Sequence, residues 1–145
     1  QDIFSKSSDD LDRTNQVLHK INTGTAHPIR QPCRRLPIGK REAEREEVEK
    51  MLRRGVIEPS CSPWCSNVVL VRKKNNTYRF CVDYRSLNEI TVRDAYPLPR
   101  IDECLDSLSG MKWFSCLDLD FGFWQISMAP EDKEKTAFAT SLGLY

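Results

Sequence analysis

The sequence predicts an α+β fold, and three observations predict it. A 3.6-residue apolar period runs through residues 40–54, KREAEREEVEKMLRR. Two runs rich in β-branched and aromatic residues, 66–73 and 77–84, flank a short polar turn. A second helical stretch at 100–109 is followed by an apolar run, 113–119, with the two-residue period of a strand. At 145 residues, with 39% hydrophobic and 30% charged side chains, the chain suits one domain with a real core.

The elements follow in order. Residues 1–27 are polar with little periodicity and are read as a linker or extended N-terminal arm, with residues 28–145 as the folded part. QPCRRLPI (31–38) has prolines near both ends and reads as extended chain. In the 40–54 helix, Ala43, Val48, Met51 and Leu52 form the apolar stripe. Glu46 with Lys50 and Glu49 with Arg53 stand at the favourable four-residue spacing, and Gly55 is the stop signal. SNVVLVRK (66–73) and TYRFCVDY (77–84) are strands, and KNN between them turns the chain. The resulting hairpin carries Arg72, Lys73, Lys74 and Arg79. RSLNEITVRDAYPLP reads as an irregular connection. In 100–109, Ile101, Cys104, Leu105 and Leu108 share a helix face and Gly110 closes it. FGFWQISM turns and returns, PEDKEK is a charged loop or one helical turn, and TAFATS is a further strand. The chain begins on Gln1 and closes on SLGLY in what reads as mid-strand, which points to a piece of a longer polypeptide.

Composition bounds the function. No run approaches the roughly 18 apolar residues of a membrane helix, so no membrane partner is expected. Six cysteines without a CxxC pair, beside two histidines, offer a zinc ion few ligands. Cys81, Cys104 and Cys116 fall in apolar patterns and read as buried thiols; the usage fits a reducing intracellular compartment. The net charge of +1 conceals a gradient: residues 28–60 carry +3, residues 61–100 carry +4 and residues 101–145 carry −5. A basic middle beside an acidic end suits a protein that grips phosphates with one part and cations with another; solvated faces are the plainer account.

Asp118 and Asp120 raise the central chemical question. On a strand they share a face, with Leu117 and Leu119 opposite, and carboxylates are costly to bury unless paired or bound to metal. Nucleotidyl transfer needs such acids, because Mg²⁺ takes hard oxygen ligands and keeps substrate phosphate oxygens in its shell. A basic hairpin could clamp a triphosphate. Acids that are merely solvated or paired with Arg remain the alternative at this stage.

Five stretches in one order then carry a resemblance: GVIEPSCSPWCSNVVLVRKKN after the helix, YRFCVDYRSLN, DAYPLPRIDECLDSLSG, FSCLDLDFGFWQI and KTAF. From about His27 to Tyr145 the chain resembles the start of the reverse transcriptase domain of gypsy-type LTR retrotransposon polyproteins. The resemblance implies the fingers and part of the palm of a right-hand polymerase, with an incomplete antiparallel palm sheet and helices. It implies that Asp118 is the first catalytic, metal-binding aspartate and that the Leu119 carbonyl is a backbone ligand. Asp120, at a variable position, joins Phe121, Gly122 and Phe123 at the nucleotide site. Phe123 takes the place of the aromatic that excludes a ribose 2′-hydroxyl, and Phe121 stands where the family usually has a small residue. Arg79 matches the fingers arginine on the incoming triphosphate, and Lys73 (or Lys74, since turn length varies) matches the fingers lysine. Asp83, Arg85, Leu87 and Asn88 match the part that contacts the template.

The implied cofactor is Mg²⁺, two ions in the complete enzyme, with Mn²⁺ as a substitute. The implied partners are an RNA or DNA template with primer, deoxynucleoside triphosphates, and the remaining polyprotein: the rest of the palm, thumb, ribonuclease H and integrase. The implied setting is cytoplasmic, including virus-like particles. The family's second aspartate motif is not in this sequence, so the chain alone is not expected to polymerise. A truncated or domesticated nucleic-acid-binding module is the alternative. A metal-dependent nuclease built on Asp118 and Asp120 is a third reading; Asp102, Glu103 and Asp106 look like the solvated face of their helix rather than its further ligands.

Overall fold

The computed structural model describes residues 13–119 and 121–145. Its order is β1 (Thr14–His19), α1 (Ile38–Arg53), β2 (Ser66–Arg72), β3 (Tyr78–Asp83), α2 (Arg85–Ile90) and α3 (Ile101–Ser107). A 3₁₀ turn (Gly122–Gln125), β4 (Ile126–Met128), a second 3₁₀ stretch (Pro130–Thr136) and β5 (Phe138–Ala139) follow. The class is α+β, as the sequence predicts.

The hairpin forms because alternation and turn chemistry agree. β2 and β3 pair antiparallel from Asn67 opposite Asp83 to Arg72 opposite Tyr78. Asn76 accepts the left-handed conformation at the turn (φ 65°), and the Lys73 amide donates to the Thr77 carbonyl at 2.8 Å. β5 adds to the other edge of β2 in parallel, giving the order β3-β2-β5. Val68, Phe80 and Val82 face one side, where Val48 and Met51 of α1 meet them together with Phe138. Each such buried side chain contributes about 2 kcal/mol. Buried Glu44, beside this stripe, accepts from the Ser141 amide at 3.2 Å and from the Ser141 hydroxyl, which ties α1 to the loop after β5. Lys50 takes Glu47, three residues back, as its ion partner.

A second core joins Ile21, Trp64 and Leu87, with Tyr84, Ile90 and Met128 packed around it. β1 lies parallel to β4 (Thr14 opposite Ile126, His19 opposite Met128). Residues 13–23 are therefore an extended arm laid on the body; residues 1–12 lie outside the described residues. Beyond β1, the Ile21 amide donates to Asp132 Oδ2 at 2.9 Å, and Lys135 Nζ donates to the Ile21 carbonyl at 2.7 Å and to Asp132 Oδ1 at 2.6 Å.

Three expectations are corrected. The connection after Asp83 contains helix α2. Leu87 and Ile90 supply its buried side, but one pair of apolar positions is too short a pattern to read as periodic. The strand expected at 113–119 is absent; the described strands form a parallel pair, β1 with β4, and the three-stranded sheet β3-β2-β5. A strand needs a ladder partner, and among the described residues none stands beside 113–119. For the same reason Leu117 and Leu119 are 84% and 70% exposed. Finally, Cys104 and Cys116 are exposed and Cys81 is only half-buried; among the described residues nothing packs on the apolar faces that carry the first two.

Candidate functional site

The hairpin has two unlike faces. Phe80 and Val82 turn inward, so Arg79, Cys81 and Asp83 share the opposite face with Val69 and Val71 across the ladder. Val69 and Val71 remain 36% and 49% exposed, so this face is open. Lys73 at the turn and Arg79 in the strand both reach solvent there.

At the base of that face Asp83 is held by Arg85 in a two-pronged bond, Nε to Oδ1 at 2.8 Å and Nη2 to Oδ2 at 2.7 Å. The guanidinium bond holds the Asp83 carboxyl down at about 2, helped by the Arg85 amide and the charge of Arg34. Ser86 next to them receives Gln31 Nε2 at 3.1 Å, and Gln31 Oε1 accepts from the Asn67 amide at 3.2 Å. The result is a cleft of about 380 Å³ lined by Gln31, Arg34, Asn67, Asp83, Arg85 and Ser86, with Glu89 at its edge. Asn88 is exposed on α2. Leu87 is not: at 4% exposure it is part of the second core and anchors α2 instead of offering a contact surface.

The second group of residues lies on 117–123. Asp118 and Leu119 are exposed, and Asp120 lies outside the described residues. Phe121 adopts the left-handed conformation (φ 49°, ψ 42°), which is unfavourable for a bulky side chain. Its ring stacks on Trp124 at 4.9 Å and 2°, and the Arg54 guanidinium sits 5.0 Å from its centroid. The bulk of Phe121 is thus housed against the end of α1. Gly122 is needed for close approach: a Cβ there would stand 3.2 Å from the Leu119 Cβ. Phe123, one residue on, is 99% exposed and projects free of the turn.

Asp118 and the Leu119 carbonyl are hard oxygen donors of the kind Mg²⁺ prefers. They fit as part of a coordination shell. Among the described residues no group of three or more His, Cys, Asp or Glu is placed to hold an ion.

Residues 71–143, half of the chain, match the family described as reverse transcriptase (RNA-dependent DNA polymerase). The chain belongs to the reverse transcriptase family. It is 41% identical over 97% of its length to the retrovirus-related Pol polyprotein from transposon 297 of Drosophila melanogaster, and 35% identical over 98% to that from transposon gypsy of the same fly. It spans only 14% of either polyprotein. The fold is that of the prototype foamy virus protease-reverse transcriptase: TM-score 0.85 at 23% identity, over 99% of this chain and 19% of that one. The foamy viral enzyme in complex with an RNA/DNA hybrid matches with TM-score 0.76 at 19% identity, over 98% of this chain and 19% of that one.

In this reverse transcriptase chain the structure brings Lys73 and Arg79 to one open face, and Asp83, Arg85 and Asn88 to its base. Asp118, Leu119 and Phe121 to Phe123 belong to a separate stretch, on which Phe121 meets Arg54 just after α1. Sequence reasoning missed Gln31, Arg34 and Asn67 in the cleft, and the Arg54–Phe121–Trp124 stack. Only the run of basic residues before α1 signalled the first group. The contact of Arg54 with Phe121, 67 residues on, leaves no local pattern.

Proposed function

We propose that this chain is the part of an RNA-directed DNA polymerase, from a retrotransposon polyprotein, that grips the incoming nucleotide and the template. The observation that carries the reading is that one family match, residues 71–143, contains every residue to which a role is assigned: Lys73, Arg79, Asp83 to Asn88, and Asp118 to Phe123. The open hairpin face supports a triphosphate clamp, with Arg79 and Lys73 placing positive charge on phosphate oxygens. The Asp83–Arg85–Asn88 corner supports a template contact. The foamy viral relative, described in complex with an RNA/DNA hybrid, supports a template–primer duplex as the partner.

Asp118 and the Leu119 carbonyl would hold a divalent cation, Mg²⁺ or Mn²⁺, with carboxylates outside this chain completing a two-ion site. Such ions stabilise the attacking and leaving oxygens of an in-line displacement. Phe123, projecting beside Gly122, acts as the sugar gate: its ring occupies the space a ribose 2′-hydroxyl needs and leaves room for deoxyribose. Phe121 holds this turn against Arg54 of the α1 end.

The test is primer extension by the complete polymerase domain that contains this chain, on an RNA template with Mg²⁺. Asp118→Asn is nearly isosteric and removes the cation's anionic ligand. Extension that survives the change at the parent rate overturns the assignment.

A further inference from the structure

Between Arg13 and Arg41 the sequence contains seven Lys or Arg and no Asp or Glu. No other stretch of this length in the chain is so one-sided. Three of these cations, Arg30, Arg34 and Arg35, stand exposed on the extended segment that precedes α1. None of their guanidinium groups has a hydrogen-bond or ion-pair partner among the described residues.

The segment is fastened along its length. The Cys65 amide donates to the Ile29 carbonyl and the Gln31 amide to the Cys65 carbonyl, both at 2.9 Å. Gln31 bridges β2 and α2 through the Asn67 amide and Ser86. The Arg34 amide donates to Asn67 Oδ1 at 3.3 Å. A backbone held at each of these points presents its cations at fixed places, and little ordering remains to be done when an anion binds.

The cleft beside it contains Arg34 and Arg85 with Asp83 and Glu89. Its own charge is balanced, but Asp83 is occupied by two Arg85 donors and leaves Arg34 its full fork. Arg30 and Arg35 then make the strap as a whole positive. Arg34 lies four positions after Arg30 on extended chain, roughly 13 Å away, the reach of a few phosphates of one strand. A single strand tracks a basic groove by its phosphate backbone, and the cleft beside the strap offers such a path.

We propose that the strap from Arg30 to Arg35 is a backbone-phosphate track for single-stranded nucleic acid, with Arg34 gripping a phosphodiester beside Arg85. The proposal deepens the template-copying reading above, but its test uses neither metal nor nucleotide substrate, so each stands or falls separately. The 145-residue chain is titrated against a fluorescently labelled mixed-sequence RNA 12-mer in EDTA, from 50 to 300 mM KCl. Each phosphate contact on a single strand contributes about 0.7 to the slope of log K against log salt. Arg34→Ala lowers the slope by about that amount and weakens binding several-fold at 50 mM. The Arg30, Arg34 and Arg35 triple alanine variant lowers it by about 2, and Arg34→Lys restores the slope. All three side chains are exposed, and an unchanged urea midpoint checks that the variants fold. A triple variant with the parent slope and affinity overturns the proposal. So does complete displacement of the 12-mer by a nucleoside triphosphate at equal phosphate concentration, because that is a nucleotide pocket and not a track.

Discussion

The hairpin body and the stretch from 93 to 123 have similar apolar content and opposite fates. In the body, Val68 and Phe138 meet α1, and both are nearly inaccessible. In the other region, Ile101 and Leu105 on α3 are 77% and 61% exposed, and Trp113 is 93% exposed. The helix itself forms over Ile101–Ser107, with Asp102 and Glu103 in its first turn. Local signals suffice for a helix; they do not suffice for a strand, whose hydrogen bonds must come from a neighbour. The same hydrophobic pattern thus describes a finished core in one region and a surface awaiting cover in the other. Asp118, proposed above as the cation ligand, lies in the second.

That contrast predicts that Asp118 matters for chemistry and hardly at all for stability. In the complete polymerase domain, Asp118→Asn lowers primer extension by about a thousandfold or more, equivalent to about 4 kcal/mol of transition-state stabilisation. Asp120→Asn lowers it by about tenfold at most. In the 145-residue chain the Asp118 change leaves the urea midpoint where it was. Equal collapse of activity in both variants brings back the symmetric pair; a shifted midpoint for Asp118→Asn gives this stretch a structural role it lacks here.

Stability itself separates the regions. Phe138→Ala empties a site against Val48, Val68 and Phe80, and costs about 3–5 kcal/mol in urea unfolding of the chain. Leu105→Ala, on the uncovered helix face, changes stability by about 0.5 kcal/mol or less. A large loss at Leu105 breaks the comparison, since it means that α3 already has a packing partner.

Phe123 probes the uncovered region for specificity. Phe123→Ala raises the ratio of ribonucleotide to deoxyribonucleotide kcat/KM by about tenfold or more, a difference of at least about 1.4 kcal/mol in transition-state binding. Phe121→Ala sharpens the test: it leaves the gate ring in place but removes its stacked support on Trp124, so discrimination loosens less than with Phe123→Ala. A ratio unmoved by either places the gate elsewhere.

What was legible follows the same division. The α1 stripe at Val48 and Met51, the β2–β3 hairpin and its Asn76 turn were readable because each is dictated by period or turn chemistry within a few residues. α2 was not, since six residues carry too little pattern. Neither was Glu44, whose burial depends on Ser141, 97 residues away. The extended arm was visible only as polar chain; what holds it is the Asp132–Lys135 pair, at a spacing that suits any solvated turn. In the candidate site, Lys73, Arg79 and the 117–123 run were singled out from motif order, whereas Gln31 and Arg34 reach the Asp83–Arg85 corner through tertiary contacts alone. The strand expected around Asp118 failed for a physical reason: alternation predicts a face and supplies no partner.

The smallest predicted effect tests the body's one tuned carboxylate. Asp83 titrates at about 2, below its ordinary value of 3.8, because Arg85 donates to both its oxygens. A depressed acid contributes its stabilisation above the unfolded value and loses it as pH falls through the folded one. The pair is therefore intact across the neutral range, begins to weaken below about pH 4 and is gone below about pH 2. The Arg85 side chain is 80% exposed, so water screens the pair and the effect on global unfolding is slight. The Asp83 side-chain carbon resonance should report a midpoint near 2, and Arg85→Ala should return it toward 3.8. The cleft sharpens the outcome: Arg34→Ala removes the weaker of the two charges acting on Asp83, and moves the midpoint upward by less than Arg85→Ala does. A midpoint near 3.8 in the parent chain means that Arg85 is not seated on Asp83 in solution, and that its fork is free for a phosphate from the start.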